Sequence, residues 1–491
     1  MSSSTVRAAA GTTAPPSVAG KLGLSALTAL VIGSMIGSGA FSLPQNMANG
    51  AGPLAILIGW AITGVGVLAL ALVYQGLSTR KPELNVGPYA YAKAGFGAFI
   101  GFNSAWGYWV SAWVGNVSYA VVMFSALSYF FPAFGAGNSW QAIVGASLVL
   151  WAIHALILNG VRQAAMINLI TTIAKIAPII LFIAIAVVAF KIDVFTLDFS
   201  GAKSASLGSV LKQTNSTLLV TLWVFIGIEG ASVYSARAAR RQDIGAATML
   251  GFVTCLAIYA LISLLSLGIL GQPELAALKN PSMAGVLEHV VGPWGAIVIN
   301  IALVVSVLGA FLTWTMLAAE VPFAAAGDGT MPKFFGRQNT QGAPVASLWV
   351  TNALVQAFLV LTLLSNATYQ ALFSIASVAI LVPYAFSGAY AAKLAITGES
   401  YATGESRTKN LVIGAVATAY GAWLVYAAGA NYLFMAAMLY VPGIAVYVIA
   451  RRENGAKIFT PFEAALAITI IGAGALAAYL IWSGAISPLS S

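Results

Sequence analysis

The chain has 491 residues, of which 60% are hydrophobic and 7% are charged, whereas about 25% of the residues in soluble domains are charged. This composition excludes a soluble globular protein and predicts an all-α polytopic membrane protein. The single cysteine, Cys255, excludes a disulfide framework within the chain, and we expect it to pack as a small apolar residue.

The first twenty residues are rich in Ser, Thr, Ala and Pro, and no apolar segment precedes a cleavage site there. We therefore predict a disordered cytoplasmic tail over 1–20 and no cleaved signal peptide. Apolar runs of roughly 20 residues then predict about thirteen membrane-spanning helices, with twelve as the alternative. The predicted spans are 22–48, 53–78, 98–130, 140–158, 163–190, 214–236, 244–270, 292–325, 345–364, 368–396, 410–428, 431–450 and 461–483.

Lys and Arg residues are distributed unequally between the two sets of loops that these spans define. Seventeen fall on the side of the N-terminus, four fall on the opposite side, and Lys175 lies inside a span. Because positively charged loops stay in the cytoplasm, this asymmetry predicts a cytoplasmic N-terminus. The same asymmetry explains the net charge of +9 by membrane topology. We therefore predict the lipid bilayer, and no nucleic acid, as a partner.

The segments between the spans are too short to form independent domains. The signatures HExxH, GxxxxGK[ST] and GxSxG do not occur, and the sequence has only two histidines. We therefore predict that the protein is not an enzyme, has no cofactor and no metal site, and acts within the bilayer.

The first span contains GSMIGSGAF over residues 33–41, where glycine weakens a helix by roughly 1 kcal/mol relative to alanine. Non-helical backbone at membrane depth is tolerated only inside a protein or along a wet cavity. This stretch alone is equally compatible with close helix packing through small residues. The sixth span repeats the pattern in WVFIGIEGAS over residues 223–232, so we predict helix breaks at Gly37, Gly39, Gly227 and Gly230.

Glycine-interrupted spans at matching places in two five-span halves are typical of inverted-repeat transporters. Five is an odd number, so the second half must enter the membrane in the opposite orientation. We therefore predict a first repeat (helices 1–5) over 21–190, a second repeat (helices 6–10) over 191–400, and helices 11–13 over 401–491.

Helix breaks of this kind have a definite chemistry. A half-helix that begins after a break presents free N–H groups and suits a carboxylate, and one that ends at a break presents carbonyls that suit an ammonium group. An α-amino acid carries both ions close together. Two adjacent breaks can therefore bind an amino-acid backbone without a charged side chain.

Five stretches of the sequence resemble the amino acid–polyamine–organocation superfamily, and within it the bacterial basic amino acid/polyamine antiporters, most closely the arginine–ornithine branch. They are GSMIGSGAFSLPQNMA (33–48), GPYAYAKAGFGAFIGFNSAWGYWVSAWVGN (87–116), LWVFIGIEGASVYSARA (222–238), AEVPFAAAGDGTMP (319–332) and VPYAFSGAY (382–390). The resemblance runs from about residue 20 to 450. It implies a five-plus-five inverted-repeat fold in the bacterial cytoplasmic (inner) membrane, and related exchangers are homodimers. The extra span near 461–483 departs from the family's twelve-helix pattern and fits thirteen spans in the arginine–ornithine branch.

The resemblance also implies substrate-binding residues. Ser38 and Gly39 would bind the substrate carboxylate, and the carbonyls of Met35, Trp223 and Ile226 would receive the α-amino group. The positions that match the side-chain pocket and its gates are Tyr108, Asn116, Tyr119, Trp314 and Ser377. The alternative role of the aromatic residues is packing in the core or against lipid. The alternative role of Asn116 and Ser377 is hydrogen bonding between helices.

Two ionisable residues lie inside spans, where burial is expensive and functional roles are common. We predict that Glu229 senses protons or compensates substrate charge, with a protonated Glu that bridges the broken helix to a neighbour as the alternative. Sodium-independent relatives carry a lysine at the position of Lys175, which we interpret as a tethered substitute for sodium. Snorkelling towards the membrane surface is the alternative for Lys175.

Taken together, these features predict a secondary transporter of cationic amino acids that exchanges arginine for ornithine by alternating access. A proton-coupled uptake permease for lysine, arginine or histidine is the alternative. An amino-acid-binding membrane receptor without transport is the alternative of another class. The sequence leaves open the preferred substrate and the oligomeric state.

Overall fold

The computed structural model describes residues 22–84, 87–159, 161–203, 207–233 and 238–486. Within these residues the chain is helical, apart from turns and one isolated backbone bridge between Leu22 and Ala238. The tail predicted over 1–20 lies outside the described residues.

Seven α-helices lie within residues 22–190. They are α1 Leu24–Met35, α2 Ser38–Ala48, α3 Pro53–Arg80, α4 Pro88–Phe96, α5 Ala98–Leu127, α6 Trp140–Leu158 and α7 Val161–Ala189.

Twelve further helices follow in the described part of the chain. They are α8 Ile192–Thr196, α9 Val210–Phe225, α10 Gly230–Val233, α11 Gln242–Leu267, α12 Gln272–Ala276, α13 Ser282–Val291, α14 Pro293–Gly327, α15 Val345–Ser365, α16 Tyr369–Ala379, α17 Leu381–Thr397, α18 Thr408–Glu453 and α19 Pro461–Trp482. The division into repeats at residues 190 and 400 falls between helices and stays a prediction.

Eleven of the thirteen predicted spans coincide, in the described residues, with a helix or a pair of consecutive helices, and the other two share α18. Ten helical segments in the described residues are long and apolar enough to cross a membrane, and the bent pair α1–α2 makes an eleventh. Helix α18 has 46 residues, about 69 Å at 1.5 Å per residue, which is more than twice a hydrocarbon core of roughly 30 Å. Gly429 interrupts it with φ 72° and ψ 161°, so α18 contains both of the spans predicted over 410–428 and 431–450.

The first predicted break lies between α1 and α2, whose axes differ by 42°. Ile36 and Gly37 leave helical geometry, and the Gly37 N–H turns back to the Met35 carbonyl at 2.9 Å. A Cβ atom on Gly37 would lie 2.8 Å from the Tyr119 hydroxyl oxygen. Glycine is therefore required at this position because the chain passes so close to that side chain.

The second predicted break lies between α9 and α10, over residues 226–229. Gly227 adopts φ 110°, a conformation that L side chains rarely accept, and a Cβ atom there would lie 2.9 Å from Ser34. The turn is closed by hydrogen bonds from Ile228 N–H to the Phe225 carbonyl and from Gly230 N–H to the Gly227 carbonyl, at 3.1 and 2.9 Å. Both breaks therefore depend on glycines that have no room for a side chain.

Gly39 and Gly230 were predicted to be breaks, and this prediction is wrong in detail. Gly39 is the second residue of α2 and Gly230 is the first residue of α10. Both are helical because the backbone has already returned to helical geometry at Ser38 and at Gly230. Gly39 has a packing role instead, since a Cβ atom would lie 2.6 Å from Val224 Cγ1.

Ion pairs and hydrogen bonds connect neighbouring helix ends and loops at each of the two faces of the helix bundle. At one face, Arg80 Nη2 lies 2.5 Å from Glu405 Oε1, Lys93 Nζ lies 3.2 Å from Asp328 Oδ1, and Lys81 pairs with Glu399. The loops that carry these basic residues are those assigned to the side of the N-terminus, so their proximity agrees with the predicted order of the spans.

At the opposite face, α12, α13 and the loop between them cover the end of α2. The Asn280 side-chain amide donates to Gln45 Oε1 and Asn46 Oδ1, both at 3.1 Å, and the Gln45 N–H donates to Ser282 Oγ at 3.0 Å. The half-helix that begins at the first break is thus tied to the loop above it.

Candidate functional site

The two breaks contact each other in the interior of the protein. The Ser34 hydroxyl, one turn before the first break, donates to the Gly227 carbonyl of the second break at 2.9 Å. Ser34 is 1% exposed. The backbone groups that the two interruptions leave without helical partners therefore lie together in one buried region.

Helix α2 begins at this region with Gly37 at its N-cap position. Glycine provides no side-chain acceptor, so the first N–H groups of α2 and its positive dipole end are available to an anion. The Ser38 hydroxyl forms a hydrogen bond of 3.0 Å with the Tyr369 hydroxyl, which also accepts from Trp223 Nε1 at 3.2 Å. Tyr369 thus connects the two residues that the sequence assigned to the two breaks.

The end of α1 faces a buried lysine. Lys175 Nζ on α7 donates to the carbonyls of Gly33 and Ile36 at 2.6 and 2.5 Å, and the Ser306 hydroxyl reaches the Ile36 carbonyl at 3.5 Å. Lys175 is 1% exposed, so its ammonium group does not snorkel to the membrane surface. The lysine therefore neutralises the carbonyl end of the first half-helix.

Two of the carbonyls predicted to receive an α-amino group already accept a backbone hydrogen bond. The Met35 carbonyl accepts from Gly37 N–H at 2.9 Å, and the Trp223 carbonyl accepts from Ile226 N–H at 3.3 Å. A carbonyl oxygen has a second lone pair, so each of the two can accept a further hydrogen bond. Ile226 ends α9 with extended backbone geometry.

A small cavity adjoins the breaks. All of its lining residues are buried. The lining consists of Ser111, Ala112, Gly115, Tyr119, Trp223, Ile226 and Trp314. Four of these, Tyr119, Trp223, Ile226 and Trp314, are among the predicted site residues.

Three of the seven lining residues of the cavity are aromatic. The Tyr119 and Trp223 ring centroids are 5.6 Å apart, and the Trp223 ring stacks on Phe373 with centroids 5.8 Å apart. Trp314 donates through Nε1 to the Ser34 carbonyl at 3.4 Å, and Trp223 Nε1 donates to Tyr369. Both indole groups of the lining are thus fixed by partners on other helices.

Three of the five residues predicted for the side-chain pocket and its gates do not line this cavity. Tyr108 Oη donates to Glu229 Oε1 at 2.8 Å, although its ring is 6.2 Å from that of Trp314. Asn116 Nδ2 donates to Thr315 Oγ1 at 3.1 Å, and the Ser377 hydroxyl donates to the Phe373 carbonyl of its own helix at 2.8 Å. Hydrogen bonding within the helix framework therefore accounts for Ser377 and for the amide nitrogen of Asn116.

Glu229 is fully buried at the end of the second break. It accepts hydrogen bonds from the hydroxyls of Tyr108 and Tyr384 at 2.8 and 2.5 Å and from the Gly227 N–H at 3.2 Å. The carboxyl group thus bridges the interrupted helix to α5 and α17. Glu229 is not part of the cavity lining. Its partner Tyr108 lies near Trp314, which does line the cavity.

Several site residues were missed by the sequence analysis. Tyr369 and Tyr384 lie at helix positions where an aromatic residue is usually part of the core, so they gave no separate signal. The stripe of Ser111, Gly115 and Tyr119 has the i, i+4, i+8 spacing of one helix face. Two small residues beside an aromatic residue on a buried helix indicate room for a ligand. This pattern could have identified Ser111 and Gly115 as site residues from the sequence.

The family comparison decides what class of protein carries this site. A family model described as amino acid permease matches residues 22–479. The chain belongs to the amino acid permease family. It is therefore an amino acid transporter, not an enzyme, and a multi-pass membrane protein.

Curated relatives of this permease include exchangers of cationic substrates. The chain is 52% identical over 471 residues to the arginine/ornithine antiporter of Pseudomonas aeruginosa, a match that covers 94% of this chain and 98% of that protein. It is 43% identical over 469 residues to the arginine/agmatine antiporter of Chlamydia pneumoniae, covering 94% and 97% of the two chains.

A solved structure shows the fold of the permease. It is the substrate-bound outward-open state of a Na⁺-coupled sialic acid symporter, with a TM-score of 0.50 and 13% sequence identity, covering 83% of this chain and 90% of that chain. The fold is the five-plus-five inverted-repeat transporter fold with helices 1 and 6 interrupted, as the sequence predicted. The interrupted helices are α1–α2 and α9–α10.

Proposed function

We propose that this permease exchanges arginine for ornithine across the bacterial cytoplasmic membrane by alternating access. The observation that carries the proposal is the meeting of two interrupted helices at a buried cavity whose lining includes Tyr119, Trp223 and Trp314. The names of the relatives support cationic amino acids as the substrates.

The substrate backbone binds between the two breaks. Its carboxylate lies at the N-terminus of α2, where the N–H groups of Ser38 and Gly39 and the Ser38 hydroxyl point towards negative charge. Its α-amino group donates to the carbonyls of Met35, Trp223 and Ile226. The support for this arrangement is that both helix ends are buried, adjacent and still able to form hydrogen bonds.

The positive side chain of the substrate extends into the aromatic cavity. None of the seven lining residues is charged, so the cation is bound by ring faces, each of which contributes about 0.5–2 kcal/mol. Glu229 acts from behind this wall through Tyr108, and its negative charge compensates the cation or follows the pH.

Lys175 replaces a bound sodium ion in this cycle. Its ammonium group lies on the Gly33 and Ile36 carbonyls, and carbonyl oxygens are also ligands for a metal cation. A tethered cation keeps these carbonyls neutralised in every conformation. The exchange therefore needs no sodium gradient.

The N-terminus and the basic loops face the cytoplasm. The support is the seventeen-to-four distribution of Lys and Arg, together with the contacts that gather Arg80, Lys81 and Lys93 at one face.

Counterflow in proteoliposomes tests the exchange. Liposomes loaded with ornithine should take up labelled arginine rapidly, whereas empty liposomes should take up little. Equal uptake in both would overturn the antiport mechanism. Uptake that depends on a proton gradient, without internal substrate, would favour the proton-coupled permease, and binding without flux would favour a receptor. A screen with arginine, lysine, ornithine, histidine, agmatine and cadaverine then identifies the preferred pair.

A further inference from the structure

Ser111 lies on α5 and belongs to the lining of the aromatic cavity, where it is 2% exposed. Within the described residues, its hydroxyl has no hydrogen-bond partner. Serines in the buried helices here usually donate to the carbonyl four residues earlier, as Ser266, Ser377 and Ser387 do at 2.6 to 2.8 Å. Five buried serines in the described residues lack a partner, and Ser111 is the one among them that lines this cavity.

A buried hydroxyl without a partner is costly, because it has lost water and gained nothing in exchange. The two indole N–H groups of the cavity wall are already engaged: Trp223 Nε1 donates to Tyr369, and Trp314 Nε1 donates to the Ser34 carbonyl. The Ser111 oxygen is therefore an acceptor that a ligand in the cavity can use.

The position of Ser111 selects which part of a ligand it meets. Tyr119 lies beside the first break, since its hydroxyl would be 2.8 Å from a Cβ on Gly37. Ser111 is eight residues earlier on the same helix face, about 12 Å away along the axis. The amino-acid backbone binds at the Tyr119 end in the proposed function, so Ser111 lies at the end that the substrate side chain approaches.

We propose that the Ser111 hydroxyl accepts a hydrogen bond from the distal ammonium or guanidinium group of the substrate and so determines specificity for amino acids with a terminal nitrogen. This inference rests on the proposed exchange function. A site built to hydrogen-bond a substrate N–H rejects an analogue that lacks it, because the acceptor of the protein is then left unpaired. The aromatic wall favours positive charge in general, whereas Ser111 recognises an N–H at a defined position.

The test compares Ser111→Ala with Ser118→Ala in ornithine-loaded proteoliposomes. Ser118 is on the same helix, is equally buried and also has a hydroxyl without a partner in the described residues, but it does not line the cavity. Inhibition of labelled arginine uptake is measured with ornithine and with norvaline, which has the same carbon chain without the distal nitrogen.

Ser111→Ala should raise the inhibition constant of ornithine about tenfold, the effect of losing one hydrogen bond to a charged group, and should leave that of norvaline unchanged. Ser118→Ala should change neither constant. Equal changes for both inhibitors, or no change in Ser111→Ala, would overturn the assignment of Ser111 while leaving the exchange function intact. Wild-type protein that shows no exchange would instead overturn the proposed function itself.

Discussion

Substitution of Gly39 by alanine tests whether the contact between the two interrupted helices controls transport. A Cβ atom on Gly39 would lie 2.6 Å from Val224 Cγ1, 3.0 Å from Trp223 Cδ1 and 3.2 Å from Trp223 Nε1. Both neighbours are buried on α9, immediately before the second break. Carbon atoms in contact are about 3.5–4.0 Å apart, so α2 and α9 must separate by about 1 Å to accept one methyl group.

Overpacking of this size costs about 1–3 kcal/mol, which corresponds to a factor of roughly 5 to 150 in an equilibrium or a rate. The separation moves the N–H groups of Ser38 and Gly39 away from the carbonyls at the end of α9. Every substrate has the same carboxylate and α-amino group. Arginine and ornithine exchange should therefore fall by the same factor.

Gly76→Ala is the matched control, because Gly76 is helical, four residues before the end of α3, and a Cβ atom there has no other atom within 4 Å. Alanine in place of glycine stabilises a helix by about 1 kcal/mol, so Gly76→Ala should transport normally and melt no earlier than the wild type. Exchange is measured with both labelled substrates, and stability by thermal melting of the purified protein. Wild-type exchange in Gly39→Ala, or a loss confined to one substrate, would refute the reasoning.

Three further predictions concern charged groups. Glu229→Gln should alter the pH profile of exchange and the preference for positive substrates, because neutral hydrogen bonds to the two tyrosines replace charge-assisted ones at about 1 kcal/mol each. An unchanged profile and preference would contradict a coupling role. Replacement of sodium by choline should leave the rate of wild-type exchange unchanged. Lys175→Met should lower the exchange rate at least tenfold, because two buried carbonyls lose their hydrogen-bond donor. Wild-type exchange that depends on sodium would exclude Lys175 as a replacement for the sodium ion. The Arg80 guanidinium holds the pKa of Glu405 below its ordinary value, so the stability from this pair is present at neutral pH and is lost as the pH falls through that lowered pKa. The melting temperature of Glu405→Gln should therefore decrease less on acidification than that of the wild type.

The sequence by itself determined the spans and the places where two of them break. Hydrophobic length is a local property that the bilayer imposes on each segment, and glycine is the residue that most weakens a helix wherever it occurs. The chemistry of a helix end is equally local, which is why the breaks at Gly37 and Gly227 already indicated binding of an amino acid. The family resemblance then narrowed the class of substrate.

The tertiary structure decided which side chains meet at the breaks. Ser38 and Tyr369 are 331 residues apart in the chain and form a hydrogen bond only because α2 and α16 pack together. Hydropathy is the same for an aromatic residue in the core and one in a cavity wall, so the sequence could not separate Tyr108, which binds Glu229, from Trp314, which lines the cavity. The unpaired hydroxyl of Ser111 was invisible for the same reason, since a missing hydrogen bond exists only once all the neighbours are in place.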